Sequence, residues 1–135
     1  MTPDKPAKTI LVVEDEPDTS IFLSNLLTAN GFCPVCAATL AEGLKKAADA
    51  CPDLIIINAM LPGEAGIRLY QSLRTNHRLC HIPVIMLSGV AKRTFLRSQK
   101  ALTEFGDKPV PEPENYLEKP IEPEELAREI KKLLG

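Results

Sequence analysis

The sequence predicts an α/β fold: a doubly wound, five-stranded parallel sheet in the order 2-1-3-4-5, with helices on both faces. Three observations lead there. Three short runs, Ile10-Leu11-Val12-Val13, Leu54-Ile55-Ile56-Ile57 and Val84-Ile85-Met86-Leu87, are apolar throughout instead of alternating. That is the pattern of parallel strands buried on both faces. Segments with apolar residues at helical spacing fall between the strands, giving the order βαβαβαβαβα and hence a parallel sheet with crossover helices. Two weaker strands carry edge features. Phe32 to Ala37 contains Pro34, which a central strand would not tolerate, and Asn115 to Glu118 is short and closes near Pro120. The order 2-1-3-4-5 places both of them at edges.

Each helix has its own signal. Residues 17–30 carry Phe22, Leu23, Leu26 and Leu27 as an inward face and stop at Gly31. Thr39 with Glu42 forms a capping box, opening a helix with Leu40, Leu44, Ala47 and Ala48 inward. Ile67, Tyr70 and Leu73 mark a third helix, and a fourth runs from about Ala91 towards Phe105. The last has Pro123 in its first turn and Leu126, Ile130, Leu133 and Leu134 at helical spacing. Gly106 to Glu114, rich in proline and acid, reads as an extended, solvent-exposed spacer. The 135 residues suit one domain, with residues 1–7 as an N-terminal tail and residues 8–135 as the folded unit.

Bulk composition excludes several classes. With 44% hydrophobic and 25% charged residues and a net charge of −2, bulk electrostatics argue for neither nucleic acid nor an anionic membrane as partner. No apolar run approaches the ~18 residues of a membrane span. The segment Met1-Thr2-Pro3-Asp4-Lys5-Pro6 lacks the apolar core of a signal peptide, so a cytoplasmic location is expected. Of the four cysteines, Cys33 and Cys36 form a CxxC that suggests a redox pair, or half a zinc site with His77, Cys80 and His81. A redox CxxC gains its low thiolate pKa from a helix N-terminus. This one follows the helix stop Asn30-Gly31 and reads as a strand, where positions 33 and 36 face opposite sides. Reduced, packed thiols are the expectation for Cys33, Cys36, Cys51 and Cys80.

In such a sheet ligands bind beyond the carboxyl ends of the strands, at the switch point between strands 1 and 3. Glu14, Asp15 and Glu16 follow strand 1; Asn58 follows strand 3, Ser88 strand 4, and Lys119 stands near the end of strand 5. Successive βα units of ~30 residues return the chain to the same edge, so these groups should converge. Adjacent carboxylates make a hard, oxygen-rich site for Mg²⁺. A hydroxyl and an ammonium can hold phosphoryl oxygens. The set lacks a nucleophile, because the amide lone pair of Asn58 is delocalised into its carbonyl, whereas a carboxylate can accept phosphate. Taken singly these residues have plainer readings: the acids complement the first helix N-terminus, Ser88-Gly89 makes a turn, and Lys119 lies on the surface.

Four motifs, Ile10-Leu11-Val12-Val13-Glu14-Asp15, Asn58-Ala59-Met60-Leu61-Pro62-Gly63 with Gly66, Val84-Ile85-Met86-Leu87-Ser88-Gly89, and Tyr116-Leu117-Glu118-Lys119-Pro120, resemble the signature of CheY-like response-regulator receiver domains. The resemblance covers roughly residues 8 to 134 and implies the flavodoxin-like version of the fold. It implies that Glu14 and Asp15 hold Mg²⁺ with the Met60 backbone carbonyl. It also implies that Ser88 and Tyr116 are the switch hydroxyl and aromatic, and that Lys119 pairs with phosphate before a cis Pro120. The chain departs from the family at position 58, where the resemblance implies a phosphorylated aspartate. It also departs in the length between Ser88 and Lys119. Asn58 is compatible with a receiver that works without phosphate, and equally with an Asp→Asn change that locks the unphosphorylated state.

The expected function is that of a two-component receiver module, not an enzyme, non-phosphorylatable as written and either stand-alone or part of a larger regulator. Expected partners are a sensor histidine kinase or phosphotransfer protein, and a downstream protein or a second copy on the face of the fourth helix, fifth strand and last helix. That face pairs basic Lys92, Arg93, Arg97 and Lys100 with acidic Glu112, Glu114, Glu118, Glu122, Glu124 and Glu125. It suits either a solvated surface or a self-complementary one. The rival class is a small Mg²⁺-dependent phosphohydrolase, but Asp15 and Asp18 lack the Asp-x-Asp spacing associated with one such family.

Overall fold

The computed structural model describes residues 7–59, 61, 65–88, 115–118 and 121–134. In chain order they form β1 (Thr9–Val13), α1 (Pro17–Ala29), β2 (Cys33–Ala37), α2 (Leu40–Ala50), β3 (Leu54–Asn58), α3 (Ala65–Arg74), β4 (Val84–Ser88), β5 (Asn115–Glu118) and a C-terminal helix (Pro123–Leu134). The five strands make one sheet in the order β2-β1-β3-β4-β5, and all four pairings are parallel. The fold class read from the sequence is the one observed, with both suspected edge strands at the edges. The helix expected over 91–105, the spacer 106–114, Met60, Lys119 and Pro120 lie outside the described residues.

Because successive side chains of a strand point to opposite faces, each apolar run feeds two cores. Leu11, Val13, Ile55, Ile57, Val84 and Met86 meet Ala47 of α2 and Ile67, Leu69, Tyr70 and Leu73 of α3. On the other face Ile10, Val12, Leu54, Ile56, Ile85 and Leu87 meet Leu23 and Leu27 of α1 and Leu126 and Ile130 of the C-terminal helix. A fully buried aliphatic side chain contributes roughly 1.5–3 kcal/mol. Two such layers therefore hold the strand ends in place.

Three details differ from the sequence reading. In α1, Leu23 and Leu27 set the buried stripe, while Phe22 is 39% exposed beside Ile21 at 58%. A residue adjacent to a buried one is rotated about 100° around a helix of 3.6 residues per turn, which turns Phe22 towards solvent. By the same rotation Ala48, one step past buried Ala47, is exposed. The thiols are free but mostly not packed: Cys33, Cys51 and Cys80 are exposed, and Cys36 is half-buried, 3.1 Å from the hydroxyl of Ser24. The three exposed thiols sit where elements begin, end or turn, whereas Cys36 lies in β2 against the α1 side of the core.

The capping box of α2 forms with a variation. Thr39 Oγ1 accepts from the Glu42 backbone N–H at 3.1 Å, but Glu42 reaches back to the N–H of Ala38, at 2.6 Å. That hydrogen bond, and then the ammonium of Lys46, hold the Glu42 carboxyl below its ordinary range.

Candidate functional site

The site is built where β1 and β3 end side by side. Val13 pairs with Ile57 in the β1–β3 ladder, so Glu14 and Asn58 occupy the next positions on neighbouring strands, ~4.8 Å apart in the pairing direction. The chain beyond β1 is anchored by the Glu14 N–H, which donates to the Ala37 carbonyl at 3.0 Å. Beyond β3 the N–H of Ala59 donates to the Leu87 carbonyl at 2.8 Å. Glu14 and Asn58 are buried, at 3% and 5% exposure, while Asp15 is exposed.

Side chains meet across this gap. The Nδ2 amide of Asn58 donates to Glu14 Oε1 at 2.8 Å and, at 3.4 Å, to Asp15 Oδ1. Glu14 Oε1 also accepts from the Glu16 N–H at 3.1 Å. Two carboxylates and an amide are thereby gathered at the C-terminal edge of the sheet. The open side next to Glu14 and Asp15 is a pocket of about 200 Å³ whose walls include Pro17, Ser20, Cys36 and Glu42.

A second pair lies on the neighbouring strands β4 and β5. Ser88, the last residue of β4, is fully buried. Met86 pairs with Tyr116 and Ser88 with Glu118, so the side chains of Ser88 and Tyr116 fall on the same face of the sheet. Their hydroxyls are hydrogen-bonded, and the Tyr116 phenol is nevertheless pushed above its ordinary range. Burial is the main cause; the Glu118 charge adds to it and the Ser88 hydrogen bond opposes it.

Of the residues singled out from sequence, Glu14, Asp15 and Asn58 are thus in mutual contact, and Ser88 and Tyr116 form a pair on the adjacent strands. Met60 and Lys119 lie outside the described residues. Gly66, seen in the sequence only as part of a motif, has a steric role. A Cβ there would stand 2.3 Å from the Asn58 carbonyl oxygen, so α3 begins in backbone contact with the end of β3. Its fixed interval from Asn58 was the one available signal.

Comparison with known proteins identifies the family. The response regulator receiver domain family matches residues 10–131. The chain belongs to that family. As a receiver domain it is a module of two-component signalling. It is 32% identical over 128 residues to the phosphate regulon transcriptional regulatory protein PhoB of Escherichia coli, covering 95% of this chain and 52% of that protein. The chain therefore spans about half the length of the curated relatives it matches. Chemotaxis protein CheY4 of Vibrio cholerae shares the fold with a TM-score of 0.78 and 25% identity, covering 95% of this chain and 99% of that one. The receiver domain of sensor histidine kinase PA1611 from Pseudomonas aeruginosa, solved with a magnesium ion coordinated in its active site cleft, superposes with a TM-score of 0.81 at 22% identity, covering 96% and 98%. That last likeness concerns the fold alone. Among the described residues no helix is long and apolar enough to cross a membrane.

Proposed function

We propose that this receiver domain is held in one signalling state, because the phosphoacceptor position is filled by the amide of Asn58. The observation that carries the reading is the placement of Asn58, the last residue of β3, with its side chain directed at the carboxylates of Glu14 and Asp15. A carboxylate there would face a cation site and could take phosphate as an acyl phosphate. An amide cannot.

The donor set suits Mg²⁺, a hard cation that prefers oxygen ligands and keeps several waters. Glu14 and Asp15 would hold it, with the backbone carbonyl of Met60, and the ion would neutralise charge on an incoming phosphoryl group. Two unit charges ~4 Å apart at an effective dielectric of ~20 interact by about 4 kcal/mol. Exchanging the carboxylate at 58 for an amide therefore removes a sizeable attraction for the cation. Ser88 and Lys119 are assigned to the phosphoryl oxygens and Tyr116 to the switch that follows Ser88. Residues 8–135 constitute the domain and 1–7 a tail. The partners in this reading are a sensor histidine kinase or phosphotransfer protein upstream. Downstream, the partner is a protein target or a second copy, on the face of β5 and the C-terminal helix, with the segment 91–105. The chain works in the cytoplasm, without contacting nucleic acid or membrane itself. Any further activity belongs to a longer protein that carries it.

The test is phosphorylation by acetyl phosphate with Mg²⁺. The chain should gain no base-labile acyl phosphate, and Asn58→Asp should gain one at residue 58. Adding Lys119→Ala to that variant should leave some labelling but weaken its structural consequence. An Asn58→Asp protein that stays unlabelled while a control receiver is labelled would overturn the reading, leaving a binding module that only shares the fold.

A further inference from the structure

We infer that the Asn58 amide is a built-in replacement for the divalent cation: it bridges the two acidic residues, and a metal ion must displace it to bind. The inference rests on the reading of Glu14 and Asp15 as the cation-holding pair. It goes beyond the loss of charge at position 58, because it makes the amide an active competitor.

Ionised carboxylates only accept hydrogen bonds, whereas an amide NH₂ offers two donors. Nδ2 stands 2.8 Å from Glu14 Oε1 and 3.4 Å from Asp15 Oδ1, so one amide serves both acids. The shorter contact lies within the range of charge-assisted hydrogen bonds. The opposite amide orientation would set an acceptor against two acceptors, so the carboxylates themselves select the one observed. Burial strengthens the bridge, since Glu14 and Asn58 are both almost fully enclosed and a low local dielectric raises the strength of such bonds. Like charges that would otherwise repel at the end of β1 are thus held together without metal. A cation approaching them meets Glu14 Oε1 and Asp15 Oδ1 already engaged by the amide.

The rival is a passive amide that turns its oxygen to the metal and becomes a ligand. The two differ in sign for Asn58→Ala. With a competing bridge, removing the amide frees the carboxylates and tightens Mg²⁺ binding about tenfold, the scale of one net charge-assisted hydrogen bond. With a ligating amide, the same change weakens binding.

Calorimetric Mg²⁺ titrations of the unaltered chain, Asn58→Ala and Asn58→Asp decide it, with circular dichroism to check folding. The expected order of affinity is Asp, then Ala, then Asn. Asn58→Ala binding no more tightly than the unaltered chain overturns the bridge. Asn58→Asp failing to bind Mg²⁺ at all overturns instead the assignment of the cation site. The unaltered chain gives a second measurement that needs no variant. By NMR the Asn58 side-chain amide protons should exchange slowly without metal and faster as Mg²⁺ saturates. Exchange that Mg²⁺ leaves unchanged would overturn the displacement.

Discussion

Gly66 meets Asn58 backbone to backbone: a Cβ on Gly66 would lie 2.3 Å from the carbonyl oxygen of Asn58 and 2.9 Å from the Cα of Ala59. Neither atom belongs to a flexible side chain that could swing away. The start of α3 is therefore set on the strand end that carries the amide, and any side chain at 66 must push the two apart. Overpacking in a tight interior costs typically 1–3 kcal/mol, occasionally more. We predict that Gly66→Ala destabilises the domain by about 3 kcal/mol, read as a lower urea midpoint with an unchanged slope. It should also move the NMR signals of Asn58. A loss below about 0.5 kcal/mol would show that α3 rides on β3 more loosely than its contacts imply.

Tyr116 offers a pH-dependent readout of the neighbouring strands β4 and β5. Its phenol is raised above the ordinary value of 10.0, first by burial and then by the Glu118 charge, while the Ser88 hydrogen bond works the other way. A pKa raised on folding means that the unfolded chain releases the proton more readily. The contribution to stability is present below about pH 10 and is lost as pH rises through the folded value. Absorbance titration near 295 nm, with Tyr116→Phe to assign the signal, should find Tyr116 ionising above pH 10. Ser88→Ala removes the one opposing cause, so it should raise the midpoint further. A midpoint that falls in Ser88→Ala would contradict the pairing of the two hydroxyls.

Much of this was legible in the sequence because parallel strands buried on both faces leave an unmistakable mark. Leu54-Ile55-Ile56-Ile57 has no polar alternation to hide, and the first polar residue after such a run must sit at the strand's end. The positions of Glu14, Asn58 and Ser88 follow from that. What the sequence could not carry is orientation and register. Nothing in the letters says that the Asn58 amide points its nitrogen at two carboxylates, since that depends on what the β1–β3 register brings alongside. The pairing of Ser88 with Tyr116 likewise needs the β4–β5 register, which is set across a long connection. Gly66 was visible as a glycine, but a close approach has no local signature when no turn demands it. Phe22 was misplaced because four apolar residues in six blur the edge of a helical stripe.

The correction at Phe22 can be tested against its immediate neighbour. Leu23 is 1% exposed, and Phe22 and Ile21 are the large hydrophobic residues exposed among those described. Leu23 packs with Ile10, Val12 and Ile56 in the core between the sheet and α1. Truncating a buried leucine removes its transfer free energy and leaves a cavity, with costs of roughly 2–5 kcal/mol. Truncating a side chain already turned to water removes little of either kind, and surface changes usually stay within about 0.5 kcal/mol. We predict a loss near 3 kcal/mol for Leu23→Ala, under about 1 kcal/mol for Phe22→Ala, and close to nothing for Ile21→Ala. Chemical denaturation of the three variants measures all of them on one scale. If Phe22→Ala proved as costly as Leu23→Ala, α1 would have to be rotated from its present setting. That would carry Pro17 and the Glu14–Asp15 corner with it, and the geometry of the acidic pair would need to be rebuilt.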